Sequence, residues 1–202
     1  TRALAGACAS GLATALLAGQ VVLAGSAVSA ESPSVVATIK VGANPTDMAL
    51  DPAKGILYVL GATKNQVDVV STATNTVIGT IDVPAETLYL TLDTARKQLF
   101  VANGDETLGP GAITVIDTDT NTVKGTTPLV GSPRMPVLDS QSGILFVAQT
   151  DEDNGPGTVS MIDARTNTVL TSVKVGISPA DPALDAARHR LYVPTSTPDL
   201  ID

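Results

Sequence analysis

The sequence is poor in the residues that carry most enzyme chemistry. Its 202 residues include one His, one Cys and no Trp, and aromatic residues make up only 2% of the chain. One His and one Cys cannot form a Cys/His zinc cluster or a haem-attachment motif. The serine-hydrolase, zinc-protease and phosphate-loop signatures are missing as well. The composition therefore favours a protein that is not an enzyme, without deciding the question, and it predicts no cofactor.

Positive charge is also scarce. Lys and Arg together number 12 against 20 Asp and Glu, which gives a formal net charge of -8 and an isoelectric point near 4.5. Such a chain presents no basic surface for phosphate groups, so nucleic acid is not an expected partner. Apolar residues still make up 44% of the sequence, which excludes a disordered polyelectrolyte. A chain of 202 residues is long enough for one domain of ordinary size.

The first thirty residues differ from the rest. No charged residue occurs between Ala3 and Ala30, and Arg2 precedes this run. An apolar run behind a basic residue, ending in Ala-Val-Ser-Ala at residues 27–30, is typical of an export signal with its cleavage site. We therefore predict a signal peptide over residues 1–30 and a secreted, periplasmic or cell-surface protein with no membrane span after cleavage. The alternative is an uncleaved anchor, because a bilayer is spanned by about 20 apolar residues.

Internal repetition dominates the remainder of the chain. A Leu-aromatic-Val triplet begins at residues 57, 99, 145 and 191, and a Leu-Asp pair begins at residues 50, 92, 138 and 184. A Thr-Asn-Thr-Val signature recurs around Asn75, Asn121 and Asn167. Because the three markers keep one register, with intervals of 42 to 46 residues, they establish a repeat.

Each repeat divides into four short strands. In the first repeat these are the β-branched and apolar segments 46–50, 56–60, 67–70 and 76–81, separated by Asp, Pro, Gly, Asn and Ser. Four strands in this period are typical of a β-propeller blade. We therefore predict an all-β propeller over residues 31–202 that forms an incomplete ring. It has three complete blades, at about 44–82, 86–127 and 132–174, and partial blades at both ends, namely a stray outer strand at 35–39 and an incomplete blade at 178–202. We expect residues 35–39 to be loose, because the other three strands of that blade are not in the N-terminal sequence.

Two positions that repeat are interpreted as structural. One aromatic residue in each second strand predicts a packing layer between blades, formed by Tyr58, Phe100, Phe146 and Tyr192. One Asp after each first strand predicts a turn in which the side chain bonds the backbone two residues on, at Asp51, Asp93, Asp139 and Asp185.

The repeat also contains recognisable sequence segments. They are Asn44-Pro45, the Leu-Asp-Pro-Ala-Lys-Gly of residues 50–55, the Leu-Tyr-Val of residues 57–59 and the Val-Ile-Asp-Thr-Asp-Thr-Asn-Thr-Val of residues 115–123. These segments resemble the YVTN-type β-propeller repeat of the YncE-like family, and the similarity extends over residues 35–202. The resemblance implies an exported or envelope-associated propeller, usually with seven blades. Similar repeats occur in archaeal surface-layer proteins and in propeller domains of lactonases and redox enzymes. We therefore expect this chain to be a piece of a longer propeller. On its own, the piece is expected to oligomerise or aggregate through unpaired strand edges.

The candidate binding residues lie at one end of the predicted blades. The loop that enters the first strand and the loop that joins the second and third strands share this end, because successive strands are antiparallel. Two of these loops are acidic and contain Asp105, Glu106, Asp151, Glu152 and Asp153. Their oxygens suit a hard cation such as Ca²⁺, but solvated acidic loops are the favoured interpretation, and the metal prediction is left open.

The entry to the first strand, which lines the central channel, supplies the other candidates. The register of the repeats makes Asp47, Tyr89, Met135 and Asp181 equivalent, and it does the same for Thr46, Leu88, Arg134 and Ala180. Residue types at these equivalent positions differ between repeats, whereas residues at the packing positions recur. The difference indicates either a ligand-binding surface or random sequence change at a half-exposed position. As a ligand surface it uses Asp47, Tyr89, Arg134 and Asp181, with Arg134 as an anion anchor and Tyr89 as a stacking group. The only histidine, His189, is expected on the surface at the opposite end.

The leading hypothesis is an exported, non-enzymatic propeller that binds a protein, a glycan or a small ligand through its acidic loops and channel rim. The alternative is the propeller part of a lactonase-like hydrolase or of a redox enzyme. Residues from further blades at the channel mouth would discriminate between the two.

We predict that the export signal is cleaved after Ala30, because small residues occupy the two positions that a signal peptidase recognises. N-terminal sequencing of the exported protein is expected to begin at Glu31. Recovery of a chain that retains residues 1–30 in the membrane fraction would instead establish an anchor.

Overall fold

The computed structural model describes residues 14–17, 20–23, 34–42, 44–61, 65–84, 86–104, 109–150 and 155–196. Internal contacts divide the chain into two units, Thr1–Val36 and Ala37–Asp202. In the first unit, strands β1 (Thr14–Leu17) and β2 (Gln20–Leu23) form an antiparallel pair. Most of the predicted signal peptide lies outside the described residues. Within the described part of the chain, no helix has the length and apolar character needed to cross a bilayer.

The second unit contains three four-stranded antiparallel blades, and each blade pairs its strands in chain order. Blade 1 consists of β3 (Pro45–Asp51), β4 (Ile56–Gly61), β5 (Gln66–Ser71) and β6 (Thr76–Asp82). Blade 2 consists of β7 (Thr87–Asp93), β8 (Gln98–Asn103), β9 (Ala112–Asp117) and β10 (Thr122–Pro128). Blade 3 consists of β11 (Ser132–Pro133) and β12 (Val137–Asp139), which share the place of a first strand, followed by β13 (Ile144–Thr150), β14 (Pro156–Asp163) and β15 (Thr168–Ile177).

A partial fourth blade follows. Strands β16 (Ala183–Asp185) and β17 (Arg190–Tyr192) form an antiparallel pair joined by a 3₁₀ turn, Ala186–Arg188. The first strands of successive blades contact one another, since β3 touches β7, β7 touches β12 and β12 touches β16. This side-by-side order of first strands is that of a propeller channel, and it confirms the predicted all-β fold with three complete blades and a partial one.

The segment at residues 35–39 is loose, as expected for a stray outer strand without its partner strands. Residues 34–40 form no strand, and Val35 and Val36 are 87% and 93% exposed. A β-branched sequence becomes a strand only where a neighbouring strand supplies hydrogen bonds, and no strand among the described residues pairs with this segment.

The predicted aspartate turns are present in all four blades. The Oδ1 atom of Asp51 accepts hydrogen bonds from the backbone N–H groups of Ala53 and Lys54, both at 3.1 Å. In the other blades, the Oδ1 atom of the aspartate accepts the backbone N–H of the third residue after it. These distances are 3.0, 3.3 and 3.1 Å for Asp93, Asp139 and Asp185. Each turn ends at a residue with positive φ, namely Gly55, Lys97, Gly143 and His189. Asn75, Asn121 and Asn167 have φ of 54°, 54° and 58°, which explains Asn in the Thr-Asn-Thr-Val signature because Asn tolerates this conformation.

The core lies between the blades, where the repeated aromatic position places its side chains. Tyr58 packs with Leu90 and Val101 of blade 2, and Phe100 packs with Leu145 and Val147 of blade 3. Both rings are 0% exposed. Phe146 is half-buried against the fourth blade, whereas Tyr192 is 42% exposed. The predicted packing layer therefore holds fully for the first two rings and only partly for the last two.

Replacement of a ring in this layer tests its role. Phe100→Ala is expected to lower the free energy of unfolding by about 3–5 kcal/mol, because it opens a cavity between two blades. Tyr192→Ala, at the equivalent but exposed position, is expected to cost about 1 kcal/mol or less. Urea unfolding of the two variants measures the difference. Equal losses would show that the layer does not depend on burial between blades.

Candidate functional site

The acidic residues predicted to bind a ligand or cation lie in loops between second and third strands. Asp105, Glu106, Asp151, Glu152 and Asp153 are all outside the described residues, so their role stays a prediction. Among the residues that the structure does describe, no group of three or more His, Cys, Asp or Glu is placed to hold a metal ion. The channel rim is therefore the part of the predicted site that the structure describes.

The first strand of each complete blade is irregular where it enters the rim. The pairing of β3 with β4 shifts between Pro45 and Asp47, and that of β7 with β8 shifts between Thr87 and Tyr89. In blade 3 the strand is interrupted by residues 134–136. Bulges of this kind redirect side chains and occur often beside binding sites. They fall on Thr46, Leu88 and Arg134, the equivalent positions at which the repeats differ.

Two of the predicted ligand residues tie neighbouring blades together. The Oδ2 atom of Asp47 accepts the backbone N–H of Leu90 in blade 2 at 2.7 Å, and its Oδ1 accepts that of Met48 at 2.8 Å. The Oδ1 atom of Asp181 accepts the backbone N–H of Met135 in blade 3 at 3.2 Å. Both carboxylates thus have a structural role at the rim that the sequence did not reveal.

Tyr89 and Arg134 have different surroundings. Tyr89 is half-buried against the core between blades 2 and 3. Arg134 is half-buried, its backbone N–H donates to the carbonyl of Ala148 at 2.8 Å, and its guanidinium forms no ion pair with any residue in the described ranges. The hydroxyl of Thr91 donates to the carbonyl of Pro136 at 2.6 Å, which fixes the interrupted segment around Arg134 to blade 2. Arg134 is therefore a positioned cation at the rim.

A buried polar network below the rim of blade 3 was missed from the sequence. The Oε1 atom of Gln149 accepts from the N–H groups of Val130 and Gly131 at 3.0 and 3.3 Å, and its Nε2 donates to Ser160 Oγ at 2.6 Å. Ser160 Oγ lies 2.9 Å from Ser172 Oγ. A signal was available, because the position of Ser160 is polar in every complete repeat, as Asp68, Thr114 and Ser160. The network borders a cavity of about 80 Å³ lined in part by Thr150, Thr158 and Lys174.

His189 lies at the opposite end of the blades from the rim, as predicted. It is exposed and ends the turn between β16 and β17, with φ of 53°. A histidine there cannot pair with a group at the rim of its own blade, so the described residues bring no histidine into the candidate site.

Comparison with known proteins supports the fold and goes no further. No family model and no curated protein matches the chain, so the resemblance to the YncE-like family is not confirmed. Among solved structures, hydrazine synthase of Kuenenia stuttgartiensis is 20% identical, with a TM-score of 0.71 over 83% of this chain and 48% of that one. The dihydro-heme d1 dehydrogenase NirN in complex with DHE is 12% identical, with a TM-score of 0.61 over 77% and 34%. The WD40 domain of Toxoplasma gondii coronin is 17% identical, with a TM-score of 0.55 over 69% and 36%.

The chain spans less than half the length of each of these structures. Their similarity establishes a β-propeller, and the propeller fold carries both enzymes and other proteins.

The blade tie at the rim gives a testable consequence. Asp47→Ala removes the acceptor for the N–H of Leu90 and is expected to lower the free energy of unfolding by about 1–3 kcal/mol. Hydrogen exchange at the Leu90 amide is expected to accelerate. The control is Asp82→Ala, because the exposed carboxylate of Asp82 accepts from the Gln66 side chain of its own blade, at 2.7 Å, and from no other described residue. If the Leu90 amide exchanges at the same rate in both variants, Asp47 does not tie the blades.

Proposed function

We propose that this chain is an exported, non-enzymatic β-propeller module that binds an anionic group of a protein, a glycan or a small ligand at its channel rim, with Arg134 as the anchor. The observation that carries this proposal is the irregular entry of the first strands. Residues needed for packing and turns repeat from blade to blade, whereas Thr46, Leu88 and Arg134 differ at the bulges and at the strand break. A position that served only packing would be expected to repeat as the others do.

The electrostatics of Arg134 support an anionic ligand. A half-buried guanidinium loses part of its hydration, and a carboxylate, sulfate or phosphate oxygen compensates for that loss through charge-assisted hydrogen bonds. Asp47 and Asp181 already accept backbone N–H groups, so they hold the rim in shape while Arg134 remains available. Tyr89 offers an aromatic surface on the neighbouring blade that suits the ring of a sugar or of an aromatic ligand.

The export part of the proposal rests on the uncharged segment from Ala3 to Ala30. Export also agrees with the thiol content, because residues 31–202 contain no cysteine and therefore need no disulfide in an oxidising compartment.

The alternative is the propeller part of a redox enzyme or of a lactonase-like hydrolase. Two of the structures with a similar fold carry enzyme names, but their identities of 20% and 12% extend the likeness to fold alone. Such an enzyme would need acid–base or metal-binding side chains at the rim, and the described rim of this chain supplies Asp, Tyr and Arg.

An array of uronic-acid, sulfated and neutral glycans tests the binding role on purified protein. Wild type is expected to bind the acidic glycans, and Arg134→Ala is expected to bind them at least about tenfold more weakly, a loss of about 1.4 kcal/mol. The matched control is Arg190→Ala, which removes an exposed arginine of β17 and is expected to bind as wild type does. Equal binding by wild type and Arg134→Ala would reject Arg134 as the anchor, and hydrolysis of a lactone substrate by the same protein would favour the enzyme.

A further inference from the structure

The blade junctions at the end opposite the rim contain a second charged site. There the turn after the first strand of one blade faces the turn between the third and fourth strands of the next blade. At the junction of blades 1 and 2, Lys54 Nζ donates to the carbonyl of Thr118 at 2.8 Å and to Asp119 Oδ1 at 2.7 Å. The Oδ2 atom of Asp119 lies 2.6 Å from Lys97 Nζ. This junction therefore holds one carboxylate between two cations.

The two lysines stabilise the ionised form of Asp119. The hydrogen bond from Lys54, followed by the one from Lys97, lowers the pKa of Asp119 below its usual value. The same interaction raises the pKa of Lys97. A carboxylate is thus the group that suits this position between the blades.

The next junction has no carboxylate at the position of Asp119. The repeat places Arg96 at the position of Lys54, Gly143 at that of Lys97 and Arg165 at that of Asp119. Two arginines therefore line this junction where the first junction has a lysine and an aspartate. Gly143 has no side chain, and the Arg96 guanidinium lies against it, so the ammonium group of Lys97 has no counterpart here.

A cleft of about 340 Å³ lies at this junction of blades 2 and 3, lined by Arg96, Gly143, Ile144, Asp163, Arg165 and Leu170, with Ser142 beside them. A side chain at residue 143 is excluded, since a Cβ there would lie 2.5 Å from Arg96 Nη2 and the φ of Gly143 is 73°. Leu170 sits at a bulge of the outer strand and, together with Ile144, gives the cleft an apolar wall. The volume is within the range of small-ligand sites.

The two arginines retain donors for a ligand. Arg96 Nη1 bonds the Oδ2 of buried Asp93 at 2.8 Å, while its Nε and Nη2 have no hydrogen-bond partner among the described residues. Arg165 is 76% exposed, and its Nη2 lies 3.3 Å from Asp163 Oδ2. An exposed pair at this distance contributes little and exchanges readily with water or a ligand.

Asp163 is the one carboxylate that lines this cleft among the described residues. Its Oδ1 accepts the backbone N–H groups of Arg165 and Thr166 at 2.7 and 3.2 Å, which directs that oxygen into its own turn. These bonds, chiefly the one from Arg165, lower the pKa of Asp163. Asp163 therefore reduces the positive charge of the cleft without supplying the group that Asp119 supplies to Lys54.

We propose that this cleft binds a small organic carboxylate, which takes the place that Asp119 occupies at the first junction. The carboxylate oxygens accept from Arg96 Nε and Nη2 and from Arg165, and the carbon chain contacts Leu170 and Ile144. The site lies at the end opposite Arg134, so it is independent of the binding role proposed for the rim.

A titration of the full chain with succinate at constant ionic strength and neutral pH tests the proposal. The backbone amide of Gly143 is followed by NMR, with succinamide as the uncharged isostere and inorganic phosphate as the competing oxyanion. Succinate is expected to shift the Gly143 resonance saturably, whereas succinamide is expected to leave it unchanged. No saturable shift with succinate, an equal shift with succinamide, or tighter binding of phosphate would each overturn the proposal.

Arg165→Asp provides the sharpest variant, because it recreates the aspartate of the first junction beside Arg96. We expect it to weaken succinate binding at least about tenfold, since an internal carboxylate competes for the same donors. Arg165→Gln removes the charge without adding a carboxylate and is expected to weaken binding less. Arg190→Ala is the control, because it removes an exposed arginine of β17 that does not line the cleft, and it is expected to bind succinate as wild type does. Undiminished binding in Arg165→Asp would show that the carboxylate does not occupy this cleft.

Discussion

The structure depends on the packing of each blade against the next. A four-stranded sheet has two faces, and a single blade has no partner of its own that removes them from water. Tyr58 and Phe100 meet this requirement by filling the space between neighbouring blades, where both are fully buried. The rings lie midway along the second strands, and the same clusters include buried residues toward the rim, such as Val83 and Leu129. Residue types differ instead at the first-strand entries, at Thr46, Leu88 and Arg134.

Much of the fold was predictable because the packing requirement returns in every repeat. The second strand of blade 1, predicted at residues 56–60, is found at Ile56–Gly61, and the aspartate turns lie where Asp51 and its equivalents indicated. The looseness of residues 35–39 was also predictable, because β-branched residues indicate strand propensity while the repeat left this segment without partner strands.

The site was less predictable than the fold. Comparison of the repeats located Thr46, Leu88 and Arg134, but the bulges and the strand break that display them are properties of the backbone and leave no residue signature such as glycine. The bonds from Asp47 to Leu90 and from Asp181 to Met135 cross between blades, so they could not be read from either repeat alone. The binding role of the acidic loops stays a prediction, because their acidic residues lie outside the described residues.

Repetition also makes each junction a reference for the next. The junction of blades 1 and 2 shows what a complete charge set looks like, with Asp119 between Lys54 and Lys97. The junction of blades 2 and 3 has Arg96, Gly143 and Arg165 at the equivalent positions. The turn conformation is the same there, since Gly143 has a positive φ as Lys97 does. The difference is therefore confined to side-chain charge and volume. Buried ring layers thus fix how the blades stack, while turn residues at the ends determine what each junction accepts, and one fold accommodates chemically different clefts at successive junctions.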